Sequence, residues 1–205
     1  MRRFDKSALV LALSQVSPAG QTAFALAIAT RQLRCFETTA RKLQWEHAEQ
    51  PRSIVEALWE VVQGGAMVPD TWQARETAVL GWIPYVEDDD WTFEFAFVQE
   101  ALSSLVYSIR SLLTASPEEC GWAAMSAYDA ADQAAIWTLS VAEFSPETEL
   151  ALISHPIVQR ELERQAEALD ILSADSISDL KTAAFAQDLI SDEELEVIAS
   201  NRAVE

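Results

Sequence analysis

The feature that most constrains this sequence is a regular apolar seam within residues 91–114. Seven large apolar side chains recur there at alternating spacings of four and three residues: Trp91, Phe95, Val98, Leu102, Leu105, Ile109 and Leu112. That spacing places them along one side of an α-helix about 36 Å long. Phe93 and Phe97 lie off the seam, so the first two turns are apolar on most sides. The pattern predicts a central helix with neighbours on several sides.

Further helices are indicated by a serine followed by a proline, a pair typical of the cap and first residue of a helix. Such pairs occur at residues 17–18, 116–117 and 145–146. Asp70 is another candidate cap, before a helix that Gly81 would end. The helix after Ser116 is rich in alanine, which would let it approach the serines at 104, 108 and 111 of the central helix.

No segment shows the alternation expected of a β-strand. We therefore predict an all-α fold, a single bundle of about ten helices around a central buried helix at 91–114. Residues 1–172 would form the bundle domain, and residues 173–205 an acidic helical appendage packed on or beside it.

The cysteines and the N-terminus indicate a cytoplasmic protein. Cys35 and Cys120 are far apart in the sequence, which is typical of reduced thiols. The first residues resemble a secretory signal, but Asp5 interrupts the basic segment and no small-residue cleavage site precedes Pro18. No run of about 18 apolar residues occurs, so no membrane span is expected.

Negative charge is concentrated in the later part of the chain. The net charge is −19 over 205 residues, yet residues 1–53 carry eight Lys or Arg against four Asp or Glu. An acidic surface repels phosphate backbones and anionic lipids, so we expect no nucleic-acid or membrane binding. It would attract a basic protein partner. The alternative is that the excess acid only keeps the protein soluble.

Four consecutive acids precede the central helix, more than a helix cap requires. We predict that they form the centre of an acidic binding surface, continued by the region after residue 143, with Trp82, Tyr85 or Trp91 as an aromatic anchor. The predicted binding residues are Glu87, Asp88, Asp89, Asp90, Tyr85 and Trp82.

Most catalytic arrangements lack the necessary residues. Five dispersed glycines do not form a phosphate-binding loop, and two isolated histidines do not support a zinc site, a di-iron site or a catalytic triad. We therefore predict no cofactor, no metal and no enzymatic activity.

Asp129 and Asp132 support an alternative function. They lie on the alanine-rich helix in line with Trp122, Met125 and Ile136, so a pocket between helices could hold both carboxylates. Two such acids could share a proton or bind a cationic group, in a small-ligand-binding protein or an enzyme. They could also lie at the edge of the helix face, in water or paired with Arg110.

The order of several segments resembles the YjaG-like family (DUF416), a bacterial family of unknown function. The segments are QTAFALAIATRQ, ALWE, WIPYVEDDD and SHPIVQRELERQ, within residues 4–172. The matching positions are Phe24, Arg31, Trp59, Glu60, Pro84, Asp88, Asp89, Pro156, Glu161 and Gln165. Where family members often carry Pro-Asn-Tyr, this chain has Leu33-Arg34-Cys35.

The resemblance implies an all-helical fold, bacterial origin and cytoplasmic residence. It implies no established activity, and only a loose association with histidine-kinase signalling. Together with the charge distribution, it predicts a non-catalytic interaction protein that binds a basic partner, as a signalling adaptor or an immunity protein. A homo-oligomer is a further possibility.

Overall fold

A computed structural model describes residues 1–84, 92–141 and 143–202, and within them the chain is helical without β-strands. The helices are α1 (Lys6–Leu13), α2 (Pro18–Lys42), α3 (Gln50–Val62), α4 (Pro69–Trp82), α5 (Phe93–Thr114), α6 (Pro117–Leu139), α7 (Pro146–Ser154), α8 (Pro156–Ser173), α9 (Ile177–Phe185) and α10 (Asp192–Arg202). The predicted all-α bundle is confirmed. None of these helices combines the length and the apolar composition needed to cross a membrane.

Several predicted helix starts are confirmed by their hydrogen bonds. The Ser17 hydroxyl accepts a bond from the Gly20 N–H at 3.2 Å, and the Ser145 hydroxyl accepts one from the Thr148 N–H at 3.1 Å. Both bonds satisfy a backbone donor that has no partner within the helix. The cap predicted at Asp70 is wrong, because Val68 is at the cap position, two residues earlier, and α4 continues past Gly81 to Trp82.

Two helices, α2 and α5, form the centre of the bundle. The α5 helix packs against α2, α3, α4 and α6, as expected for a helix with neighbours on several sides. Residues 20–33 of α2 are buried without interruption, so this helix is enclosed even more completely than α5. Trp91, the first residue of the predicted seam, lies outside the described residues.

The serine flank of α5 pairs mainly with polar groups of α2, and it also contacts α6, the alanine-rich helix that we predicted as its partner. The Gln32 amide donates to the Ser104 hydroxyl at 2.7 Å. The Thr22 and Ser111 hydroxyls are 3.3 Å apart, and Ser111 also lies 3.2 Å from the Cys120 sulfur of α6. Small side chains therefore let α2 and α5 approach closely and pair their buried polar groups.

The chain beyond residue 173 packs on the bundle. The α9 helix contacts α2 and α8, and α10 contacts α6. Leu189 and Ile190, between these helices, are buried. The Leu189 N–H donates to the Arg31 carbonyl of α2 at 2.8 Å.

Candidate functional site

Most of the predicted acidic binding surface falls in the segment that the structure does not describe. Tyr85, Glu87, Asp88, Asp89 and Asp90 all lie outside the described residues. Trp82 is described, at the end of α4. It is half-buried and stacks on His47, with ring centroids 4.9 Å apart. One face of this predicted anchor is therefore already covered by the protein itself.

The later part of the chain presents a second group of acids, which we call the acidic face. It consists of Glu147 and Glu149 on α7 and Glu163, Glu167 and Asp170 on α8, all exposed. The three α8 residues are spaced by four and three, so they lie on one side of that helix. No ion pair joins any of the five to another described residue.

The arginines of α8 do not neutralise the acidic face, because they bind inward-facing groups. Arg160 donates to both carboxylate oxygens of Glu194, at 2.9 and 2.8 Å, and to the Leu189 carbonyl. Arg164 donates to the Asp188 carbonyl at 2.6 Å. These bonds hold the segment before α10 against the bundle and leave the exposed side of α8, with Glu163, Glu167 and Asp170, negative.

Phe144 is an exposed aromatic residue beside the acidic face. It precedes the cap of α7 and is 73% exposed. At this position a hydrophobic residue often packs on the fourth residue of the helix, but here that residue is Glu149. Phe144 therefore lacks an apolar partner within α7. Sequence analysis missed it, although the mismatch with Glu149 is visible in the sequence.

The carboxylates of Asp129 and Asp132 are half-buried on α6. Burial and the neighbouring charge of Asp132 raise the pKa of Asp129 to about 6, and burial also raises the pKa of Asp132. Glu100 of α5 joins them, a residue that sequence analysis did not single out. Burial and the charge of Asp129 raise the pKa of Glu100 to about 7, opposed by a hydrogen bond from Ser126.

Among the described residues, no cation forms an ion pair with Asp129, Asp132 or Glu100. Arg110, which we considered as a partner for Asp129 and Asp132, instead donates to Glu76 at 2.7 Å. Within the described residues, no three histidine, cysteine, aspartate or glutamate side chains are grouped so that they could hold a metal ion. The three acids therefore retain an affinity for protons that is higher than usual for carboxyl groups.

We expect the Glu100 contribution to the free energy of unfolding to fall as the pH rises from about 4 to about 7. The folded state holds a proton in this range that the unfolded state has already released, so deprotonation costs stability. The Glu100→Gln variant cannot lose that proton. Between about pH 4 and about pH 8, its stability relative to wild type should rise by roughly 1–3 kcal/mol. Urea unfolding at both pH values measures this difference, and an equal difference at both would contradict the raised pKa.

The cysteines offer no nucleophile near neutral pH. Both thiols are free and buried. Burial raises the pKa of Cys120 to about 11 and also raises the pKa of Cys35. Because the thiolate is the reactive form, neither residue is activated for catalysis.

A polar cavity of about 520 Å³ lies between α2, α3 and the segment before α10. Its charged side chains are already paired with one another. Arg34 donates to Asp188 at 3.2 Å, and Arg52 donates to both oxygens of Glu37, at 2.6 and 2.9 Å. A charged ligand would have to displace one of these pairs.

The most deeply buried charges are those of Arg31 on α2 and Glu161 on α8. Their side chains are 2% and 0% exposed, and two hydrogen bonds of 2.8 and 3.3 Å join them. The Gln165 amide donates to Glu161 at 3.0 Å and to the Ala124 carbonyl at 3.2 Å. These three residues are among the positions that carry the resemblance to DUF416, and the fold brings them into one network.

The comparison with family sequence profiles identifies a family that matches most of this chain. The profile described as "Protein of unknown function (DUF416)" matches residues 9–191. The chain belongs to the DUF416 family. The match continues past residue 172, where the resemblance found in the sequence ended. The narrower YjaG-like label stays a prediction.

A solved DUF416 structure shares this fold. It is a crystal structure of a DUF416 family protein from Shewanella baltica OS155, with a TM-score of 0.69 and 13% sequence identity. The alignment covers 86% of this chain and 93% of the other. At that identity the likeness concerns the fold alone. The comparison with curated proteins found no match.

Proposed function

We propose that this DUF416 protein is a non-catalytic, cytoplasmic interaction module that binds a basic protein partner through its acidic surface. The observation that carries the proposal is the uncompensated acidic face of α7 and α8. Glu163 and Glu167 are one helical turn apart, where like charges destabilise a helix. A basic partner would relieve that repulsion, whereas the arginines of α8 do not.

Charge and an apolar anchor would have separate roles in such binding. Complementary charge steers the encounter and can raise association rates to about 10⁸ M⁻¹s⁻¹ at low salt. Buried aromatic residues commonly supply much of the binding energy once partners meet. Phe144 lies beside Glu147 and would fill that role.

Two kinds of basic partner fit this proposal. A signalling adaptor would bind a component of a regulatory system, and an immunity protein would mask a basic toxin. The gene neighbourhood distinguishes them, because an adjacent toxin gene favours immunity.

The experiment compares two variants of equal net charge in affinity capture from the native cell. Glu163→Gln, Glu167→Gln and Asp170→Asn together neutralise the α8 part of the acidic face. The matched control combines Glu56→Gln, Glu60→Gln and Asp70→Asn, three exposed acids on α3 and α4. We expect wild type and control to retain a basic partner, and the α8 variant to bind it at least about tenfold more weakly. Equal binding by both variants would contradict the proposal.

A second candidate function rests on the half-buried carboxylates. Asp129, Asp132 and Glu100 could bind a small cationic ligand between α5 and α6, or serve as acid and base in an enzyme. The raised pKa values of Asp129 and Glu100 favour this candidate. It predicts that Asp129→Asn abolishes ligand binding, whereas the α8 variant leaves ligand binding unchanged.

A further inference from the structure

A small cavity lies between the N-terminal arm, α1 and α8. Its volume is about 280 Å³, slightly below the about 300–1,000 Å³ typical of small-molecule sites. The side chains of Leu9, Leu162 and Leu169 form an apolar part of its wall. Arg2 and Arg3, both exposed, lie at the mouth. The cavity thus combines apolar walls with two cationic side chains, on a chain with a net charge of −19.

The arm that carries the two arginines is held in place by hydrogen bonds. The Arg2 N–H donates to the Gln159 side-chain oxygen at 2.7 Å, and the Gln159 amide donates to the Arg2 carbonyl at 2.9 Å. Asp5, which also lines the cavity, accepts a bond from the Ala8 N–H at 3.0 Å and thereby caps α1. The backbone that carries the two arginines is therefore held beside the cavity.

The inner end of the cavity is formed by Gln165, which is 5% exposed. Its Nε2 group donates to Glu161 and to Ala124, so both amide hydrogens are used. Its Oε1 atom accepts no hydrogen bond from a described residue. This oxygen can therefore accept a hydrogen bond from a ligand that carries a donor.

We propose that this cavity binds a short-chain carboxylic acid that carries a hydroxyl or amide donor at its far end. The carboxylate would pair with Arg2 or Arg3 at the mouth, since guanidinium groups match carboxylates in geometry and charge. The aliphatic chain would contact the leucine walls. The distal donor would reach Gln165, which already contacts the buried Arg31–Glu161 pair. This site is independent of the proposed protein-binding role.

The test is calorimetric titration of the full chain, carrying any tag at its C-terminus so that the N-terminal arm is unaltered. Three probes of equal chain length are used: 6-hydroxyhexanoate, hexanoate and 6-amino-1-hexanol. We expect 6-hydroxyhexanoate to bind saturably at one site, hexanoate to bind more weakly, and the amine not to bind. Absence of saturable binding by 6-hydroxyhexanoate at millimolar concentration, or equal binding by the amine, would overturn the proposal.

Variants of the lining residues test whether 6-hydroxyhexanoate binds in this cavity. Arg2→Ala with Arg3→Ala should weaken 6-hydroxyhexanoate binding at least about tenfold. The control, Arg75→Ala with Lys181→Ala, removes the same charge elsewhere and should leave binding unchanged. Ala166→Leu, which fills part of the cavity lining, should also reduce binding. Melting temperatures of all variants verify folding. Unchanged binding in the Arg2 and Arg3 double variant would place the acid elsewhere and overturn the assignment.

Discussion

Replacement of Arg31 by methionine is expected to lower the free energy of unfolding by about 3–5 kcal/mol, a large fraction of the stability of a typical domain. Removal of the guanidinium leaves the Glu161 carboxylate, which is 0% exposed, without its charged partner. Methionine keeps the apolar stem of arginine, so the loss of packing is confined to the space of the guanidinium. Urea unfolding followed by circular dichroism measures the effect.

Two controls separate the ion pair from packing. The double variant Arg31→Met, Glu161→Met should recover most of the loss, because a buried ion pair can often be replaced by apolar side chains at little cost. Arg110→Met breaks a more exposed pair with Glu76 and should cost no more than about 1 kcal/mol. If Arg31→Met cost no more than Arg110→Met, the Arg31–Glu161 pair would not be buried as described.

Truncation of Trp59 to alanine should also cost about 3–5 kcal/mol, from the loss of a fully buried aromatic side chain. The Trp59 indole N–H donates to the Thr30 hydroxyl at 2.9 Å, and this hydroxyl donates in turn to the Leu26 carbonyl. Trp59→Phe keeps most of the packing but removes the first bond, so we expect a smaller loss. Urea unfolding measures both variants.

Phe144→Ala is the control for Trp59, because it truncates an aromatic side chain that lies mostly in solvent. Its effect on stability should stay within about 0.5 kcal/mol. Equal losses for Trp59→Ala and Phe144→Ala would contradict the description of the core. If Phe144 also serves as an anchor for a partner, Phe144→Ala should weaken binding without weakening the fold.

Regular apolar spacing explains why the sequence predicted α5 correctly, and its absence explains why the role of α2 was underestimated. In α5 the buried positions include Val98, Leu102 and Ile109, which repeat with the helical period. In α2 the buried positions include Arg31 and Gln32, which a hydrophobicity pattern assigns to the surface. Their partners lie on α8 and α5, so their burial depends on tertiary pairing.

Contacts between helices, which a sequence pattern does not reveal, also determine the candidate sites. Asp129 and Asp132 could be found from the sequence because they share one helix. Glu100 lies on another helix, and only the packing of α5 against α6 brings it close to them. Of the two alternatives left open for the aspartates, water or Arg110, the pairing with Arg110 is wrong, since Arg110 binds Glu76. The acidic character of α8 could be predicted from its charged residues alone. That its arginines turn inward depends on the position of the chain beyond residue 173.

The most direct test of the proposed function is the association rate with the captured basic partner, measured by stopped flow at about 20 mM and about 500 mM salt. We expect the wild-type rate to fall at least about tenfold over this range, and the rate of the α8 variant to show a clearly smaller fall. A wild-type rate that stays the same at both salt concentrations would contradict recognition through the acidic surface.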